Sequence, residues 1–332
     1  MSLKLEFHFF YASQKLQVGA SRHFHALEEE YKVSGHEEVG FKFYELVDKK
    51  KDKVPFITRL YFIIYLTIYA SFNKEKKIVT DLNPVFSIWN NIIVNINDLR
   101  EFKGFRRHSN LLLKVKHLAL RKKKLVAIST HTKLQLEEIG CKNVTVIPPG
   151  VKRSNIKKYK RINKDIDVLV VGQYSSRKNH IIVMKAMEKI NSINDKINAV
   201  FVGAGGKEYT KLHNYKTQRK INCVKLMMNI SDKKLDELYQ RSKILIIPTF
   251  YEGFGIPAVE GYSYNCEILL SDYEAAMDFN FNYDLISNYN VEQVYRKIYN
   301  TLKSYDVNKF NDMKHFNYFF DDIYKKWIAE FL

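Results

Sequence analysis

Short apolar runs alternate with longer amphipathic stretches along the chain. Residues 3–11 (LKLEFHFFY) partly alternate apolar and polar positions and predict a first strand. A loop over Ala12–Ala20 follows, and Ser21 is placed to cap a helix through His25, Leu27 and Glu30. Four more short strands are predicted, at 76–82 (KKIVTDL), 91–96 (NIIVNI), 124–128 (KLVAI) and 143–147 (NVTVI). A helix over Lys133–Ile139 separates the last two, with Ser129-Thr130 as cap candidates and Gly140 as its stop. Strands that alternate with helices imply a mainly parallel, helix-covered sheet.

Pro148-Pro149-Gly150 ends that pattern, and the polar, basic stretch 151–165 reads as a linker. The alternation then restarts. Strand 166–171 (IDVLVV) runs into Gly172, and a helix covers Ile181–Ile193. Strand 198–202 (NAVFV) runs into Gly203-Ala204-Gly205-Gly206. Ser231-Asp232 caps a helix Lys234–Arg241, and strand 243–247 (KILII) ends at Pro248-Thr249. The reading is two α/β halves with a cleft between them: a domain over 1–150, a linker over 151–165 and a second domain over 166–312. The aromatic-rich end carries Phe319, Phe320, Ile323, Trp327 and Ile328 at helical spacing, a stripe expected to pack in a core. The longest apolar run, 54–72, is broken by Arg59 and falls short of the about 20 apolar residues of a membrane span, so it predicts a buried helix.

Composition narrows the class. Of 332 residues 46% are hydrophobic and 27% charged, as in globular chains, and roughly 150 residues per domain gives two domains. Cys141, Cys223 and Cys266 are odd in number and far apart, which fits neither a disulfide framework nor a metal site and points to a reducing compartment. Lys4, Glu6 and His8 interrupt the first apolar run, so no secretory signal is read there, and a cytoplasmic location is expected.

The net charge of +18 is concentrated: residues 101–250 hold 33 Lys and Arg against 11 Asp and Glu. That asymmetry suits nucleic acid, membrane phospholipid or a phosphorylated substrate, or else a surface of solvated lysines. Residues 103–124 look amphipathic, with Leu111, Leu112, Val115, Leu118 and Ala119 on one side. They read as a helix packed on the sheet or as a peripheral contact with anionic membrane. No nucleic-acid-binding motif accompanies the charge, which disfavours that partner.

The sharpest chemical feature is the segment Thr249–Gly261 (TFYEGFGIPAVEG), which directly follows a buried strand. Glu252 lies on a loop and Glu260 eight residues later, two turns into a helix that starts near Pro257. Gly253 and Gly255 leave backbone N–H groups open to an anion, and the two carboxylates can hold hydroxyl groups on either side of it. A sugar nucleotide has that layout.

This segment resembles the E-x7-E motif of the retaining glycosyltransferases of the GT-B fold, family 4. Ile128-Ser129 through Val146–Val151, Val171–His180, Phe201–Gly205 and Ser231–Leu235 resemble further family segments in the same order. The resemblance covers about residues 124–275 well and the amino-terminal half loosely. It implies two Rossmann-like domains facing a cleft, with the helix in 313–332 returning to the first. It also implies a nucleotide-sugar donor site in the second domain and an acceptor glycan, lipid or protein on the first.

Residue by residue, the resemblance gives Glu260 the ribose hydroxyls and Glu252 the transferred sugar. Gly253, Phe254 and Gly255 would present backbone N–H groups, and Gly172 and Gly203 would line the phosphate loops. Lys178, with Arg177, would neutralise the diphosphate. Gln173 stands where the family has Arg, and Asn97, before Asp98 on the acceptor side, where it often has His. Asn cannot take a proton, so a binding protein without turnover is the alternative. Asp165-Ile166-Asp167 precedes a strand and reads as linker; no metal and no other cofactor is expected.

Overall fold

A computed structural model describes residues 4–11, 19–35, 37–45, 56–81, 90–99, 118–151, 163–193, 196–306 and 316–332. The first apolar run forms β1 (Leu5–Tyr11), flanked in parallel by β2 (Val39–Glu45) and β3 (Lys77–Thr80). β4 (Ile92–Ile96), β5 (Lys124–Ala127) and β6 (Val144–Val146) extend the sheet, in the order β2-β1-β3-β4-β5-β6. Alternation decides what each face of β1 meets. Leu5, Phe7 and Phe9 are buried with Phe24, Leu27 and Tyr31 of α1 (Gly19–Val33) and with Trp327 of the carboxyl-terminal helix. Glu6 and His8 point to the opposite face, where Tyr69 of α2 (Phe56–Phe72) meets Glu6.

The run 54–72 is helical as α2, yet it is not buried all round. Leu66 and Ala70 are buried, whereas Tyr61, Ile64, Ile68 and Phe72, at helical spacing, are exposed. No helix among the described residues is long and apolar enough to cross a membrane. β2 was not anticipated from the sequence, although Val39, Phe41 and Phe43 alternate and pack on the same cluster as Phe7. Of the stretch 103–124, residues 103–117 lie outside the described residues, as do 152–162 of the linker. Leu118, assigned above to the apolar side, is exposed.

Contacts divide the chain into a unit of Met1–Val151 with Tyr318–Leu332 and a unit of Lys152–Asn317. The returning piece is fixed to the first unit by main-chain bonds, Val151 N donating to Tyr318 O (2.7 Å) and Phe320 N to Val151 O (3.0 Å). The Trp327 ring meets Phe7 edge-on at 5.1 Å.

In the second unit β7 (Ile166–Val171), β8 (Ala199–Gly203), β9 (Val224–Met228), β10 (Ser242–Ile247), β11 (Glu267–Ser271) and β12 (Asp284–Ile286) form a parallel sheet. The order is β12-β11-β10-β7-β8-β9. Connections therefore run one way from β7 to β9 and the other way from β10 onward, which opens a crevice at the carboxyl ends of β7 and β10. The unbroken apolar stretches Val168–Val171 and Ile244–Ile247 become the ends of these two central strands because a strand covered on both faces needs no polar side. β9, β11 and β12, and the helices over 207–218 and 291–303, were not read from sequence; β9 and β12 are edge strands with exposed positions.

Asp165 and Asp167 serve the scaffold. Arg241 Nε donates to Asp165 (2.8 Å), while Asn198 N (2.9 Å) and Lys243 Nζ (2.7 Å) donate to Asp167, which lies inside β7 and not in a linker. Lys164 Nζ, its pKa lowered by burial, donates to Ser242 O and Tyr264 O.

Candidate active site

The chain leaves β7 at Gly172, whose N–H donates to Val202 O (2.9 Å). Tyr174 then turns inward, its hydroxyl donating to Phe201 O (2.8 Å) and Met227 O (3.0 Å), which ties this loop to β8 and β9. β7 and β8 come so close at their ends that a Cβ on Gly203 would stand 2.0 Å from Gly172 O. Gly203 is thus required by backbone approach, whatever ligand the loop takes. Gln173 is exposed.

A single turn, Ser176–Lys178, follows, and Asn179 reverses it at φ 48° so that the helix His180–Ser192 can begin. Asn is among the few side chains that tolerate this left-handed conformation. Its Nδ2 donates to Asn288 O (3.0 Å) beyond β12.

The exit of β10 is locked onto the same place. Phe250 N donates to Arg177 O (2.9 Å), and buried Thr249 donates to Tyr251 O (3.0 Å). Asn288 Nδ2 donates to Thr249 O (3.3 Å) and Ser271 Oγ to Ile247 O (3.2 Å). Loops after β7, β10, β11 and β12 therefore form one fixed platform. On it Lys178 Nζ bonds Glu252 Oε1, and Arg177 Nη1, bonded to Tyr251 O, lies 3.4 Å from Glu252 Oε2. Burial alone would raise the Glu252 carboxyl; Lys178 and then Arg177 more than offset it, and the group sits below the ordinary carboxylate range. Burial, aided by the Lys178 charge, pushes the His180 imidazole down to about 3, so it is neutral.

Gly253 and Gly255 are buried, and Phe254 packs edge-on against Phe279 at 5.3 Å. Gly255, at φ +103°, leads into the helix Ile256–Ser263, with Pro257 in its first turn. Glu260 sits little more than one turn into that helix, not two, and accepts from Tyr239 OH (2.7 Å). Asn97 and Asp98 belong to the first unit, at the exit of β4, where Asn97 Oδ1 accepts from Asn95 Nδ2 (3.1 Å). Among the described residues no group of three or more His, Cys, Asp or Glu is placed to hold a metal ion.

The sequence reading brought Arg177, Lys178 and Glu252 to one site, in a segment opening at Thr249, but missed Ser271 and Asn288. The signal was the same for both: a polar residue within two positions of an apolar run's end.

Two six-stranded parallel sheets, the second with its polar residues gathered at the strand-order reversal, define a GT-B glycosyltransferase fold. The chain belongs to the glycosyl transferases group 1 family, which matches residues 151–317. It is 30% identical over 109 residues to the serotype-specific mannosyltransferase WbdA of Escherichia coli, covering 31% of this chain and 13% of that protein. It is 27% identical over 138 residues to an uncharacterised glycosyltransferase of Methanocaldococcus jannaschii, covering 42% and 37%. The matches thus span well under half the length of these relatives.

Among solved structures, sucrose-phosphate synthase from Thermosynechococcus elongatus superposes with a TM-score of 0.74 at 14% identity, over 98% of this chain and 100% of that one. Anabaena HepE in complex with UDP and glucose gives 0.73 at 14% identity, over 98% of both. A glycosyltransferase from Rickettsia africae gives 0.71 at 15%, over 99% and 98%.

Proposed function

We propose that the protein is a retaining hexosyltransferase of family 4 type, moving a sugar from a nucleotide-diphosphate sugar to a glycan, lipid or protein acceptor. The observation that carries this reading is the pairing of Lys178 and Arg177 with Glu252 at the carboxyl ends of β7 and β10. Glycosyl transfer builds an oxocarbenium-like centre while negative charge grows on the leaving diphosphate. Fixed cations aimed at that charge stabilise the transition state more than the ground state. In this scheme Lys178 and Arg177 take the diphosphate, the Gly253–Gly255 backbone and the helix start behind it add N–H donors, and Glu252 is released to the sugar hydroxyls. Glu260 holds the ribose. The acceptor attacks from the leaving-group face and a phosphate oxygen takes its proton, so no enzymic nucleophile and no metal enters the scheme. Asn97, which cannot accept a proton, favours a second reading: a nucleotide-sugar-binding protein without turnover.

Thermal unfolding against UDP-, GDP- and ADP-linked sugars tests the donor site. A ligand at 100 times its Kd adds about 2.7 kcal/mol. One donor should raise Tm, and Lys178→Ala and Glu260→Ala should abolish the rise. No shift with any donor would overturn the reading; a shift without transfer or hydrolysis would support the second one.

A further inference from the structure

Behind the Gly253–Gly255 loop stands a side chain that the scheme above leaves unused. Tyr273 follows β11 by two residues and is 2% exposed. Among the described residues its hydroxyl has no hydrogen-bond partner. Leaving a buried hydroxyl unpaired is costly, and native proteins rarely do it without a use for the group. The hydroxyl abuts the loop: a Cβ on Gly255 would stand 2.4 Å from Tyr273 Oη and 3.3 Å from Phe279 Cζ. The oxygen therefore lies directly behind the Gly255 backbone, in the space that any other side chain at 255 would take. Burial, with the Glu252 charge nearby, holds the phenol well above its ordinary range, so the oxygen keeps its proton and can donate.

A neutral donor after β11 and a carboxylate acceptor after β10, side by side, match a sugar hydroxyl, which both gives and takes a hydrogen bond. A diphosphate calls for the cations, and Lys178 and Arg177 provide them. We infer that Tyr273 Oη donates to a hydroxyl of the transferred sugar and helps select it; the inference rests on the donor-site reading above.

Tyr273→Phe removes this one oxygen and keeps the ring. Affinities are read for the nucleotide sugar that shifts the wild-type Tm and for its free nucleoside diphosphate. The variant should keep or raise the Tm of the free protein, weaken nucleotide-sugar binding about tenfold (~1.4 kcal/mol) and leave diphosphate binding unchanged. Unchanged nucleotide-sugar affinity, with Lys178→Ala losing both ligands, overturns the role of Tyr273 and leaves the donor site standing. A lower Tm for the free variant shows the hydroxyl already satisfied and also overturns it. If the wild type binds none of the nucleotide sugars, the donor-site reading falls and this inference with it.

Discussion

Each unit holds a largely buried carboxylate between two cations, Glu6 in the first and Glu252 in the second, and the two settings differ. In the first unit Glu6 Oε1 accepts from Lys76 Nζ (2.9 Å). Its Oε2 accepts from Tyr69 OH (2.7 Å) and lies 3.1 Å from His8 Nε2 and 3.6 Å from Lys42 Nζ. Tyr44 OH closes the network on His8 Nδ1 (3.1 Å). Burial would raise the Glu6 carboxyl, but these partners hold it far below the ordinary range. Glu252 in the second unit is lowered by the same physics, with Lys178 and Arg177 as partners. What differs is place and saturation. Glu6 is the second residue of β1, beneath α2, with both oxygens taken by neutral donors as well as cations. Glu252 lies beyond the end of β10, where the proposed donor site needs its cations to exchange one anion for another. The same electrostatic signature therefore occurs in two settings, and position relative to the strand ends is what separates them.

The largest expected difference is in stability. Glu6→Ala strips four groups of their common partner. Breaking a buried ion pair costs about 3–5 kcal/mol, and the lower end is expected because Lys42 and Lys76 reach water. Urea unfolding should show that loss, while the folded protein keeps its nucleotide-sugar affinity. A stable Glu6→Ala variant that had lost donor binding would erase the distinction between the clusters.

Acid sharpens the comparison. Each cluster has a buried neutral histidine beside it, His8 and His180, each with its pKa lowered chiefly by burial. The unfolded chain takes up a proton near pH 6.5 and the folded chain does not, so stability falls as pH drops below 6.5. For His180 the window runs down to about 3, and at pH 5 the loss is about 2 kcal/mol. The lowered carboxyls of Glu6 and Glu252 act in the same direction further down, their contribution being complete above about pH 4.5 and lost as pH falls through their folded values. His180→Phe should flatten the dependence of the urea midpoint on pH between 7 and 5. An unchanged slope would mean that His180 takes up its proton over the same pH range in the folded protein as in the unfolded chain.

How far these features show in the sequence depends on whether they are local. β7 and β10 each end in four consecutive apolar residues, before Gly172 and Pro248, so both strands and their exits are legible. Lys178 and Glu252 sit a few residues past those exits and are legible for the same reason. β2 alternates too, but Gly40 and Lys42 dilute it, and β12 is three residues long. Tyr273 and Asn288 come near the loop after β10 because β11 pairs with β10 and β12 with β11 in the sheet order, and nothing along the chain states that order. The role of Glu6 was equally hidden: it read as a break in an apolar run, while its partners Lys42, Tyr69 and Lys76 come from β2, α2 and the turn before β3.

The smallest predicted effect bears most directly on whether Glu252 is a replaceable partner. If its carboxylate holds Lys178 and Arg177 in place of a diphosphate while the site is empty, donor binding must first break those pairs. Glu252→Gln removes that competition. Ion pairs at least partly open to water are worth about 0.2–1 kcal/mol, so the free nucleoside diphosphate should bind about 1.4- to fivefold more tightly to the variant. Sugar transfer should fall sharply, because the charged acceptor for the sugar hydroxyls has been replaced by a neutral amide. Isothermal titration with the diphosphate checks the first effect and turnover the second. Were Glu252 a scaffold carboxylate like Glu6, the same substitution would instead lower the urea midpoint markedly and leave diphosphate affinity where it was. Opposite movements of binding and turnover in one variant are therefore what separates a carboxylate that waits for a ligand from one that only fastens the fold.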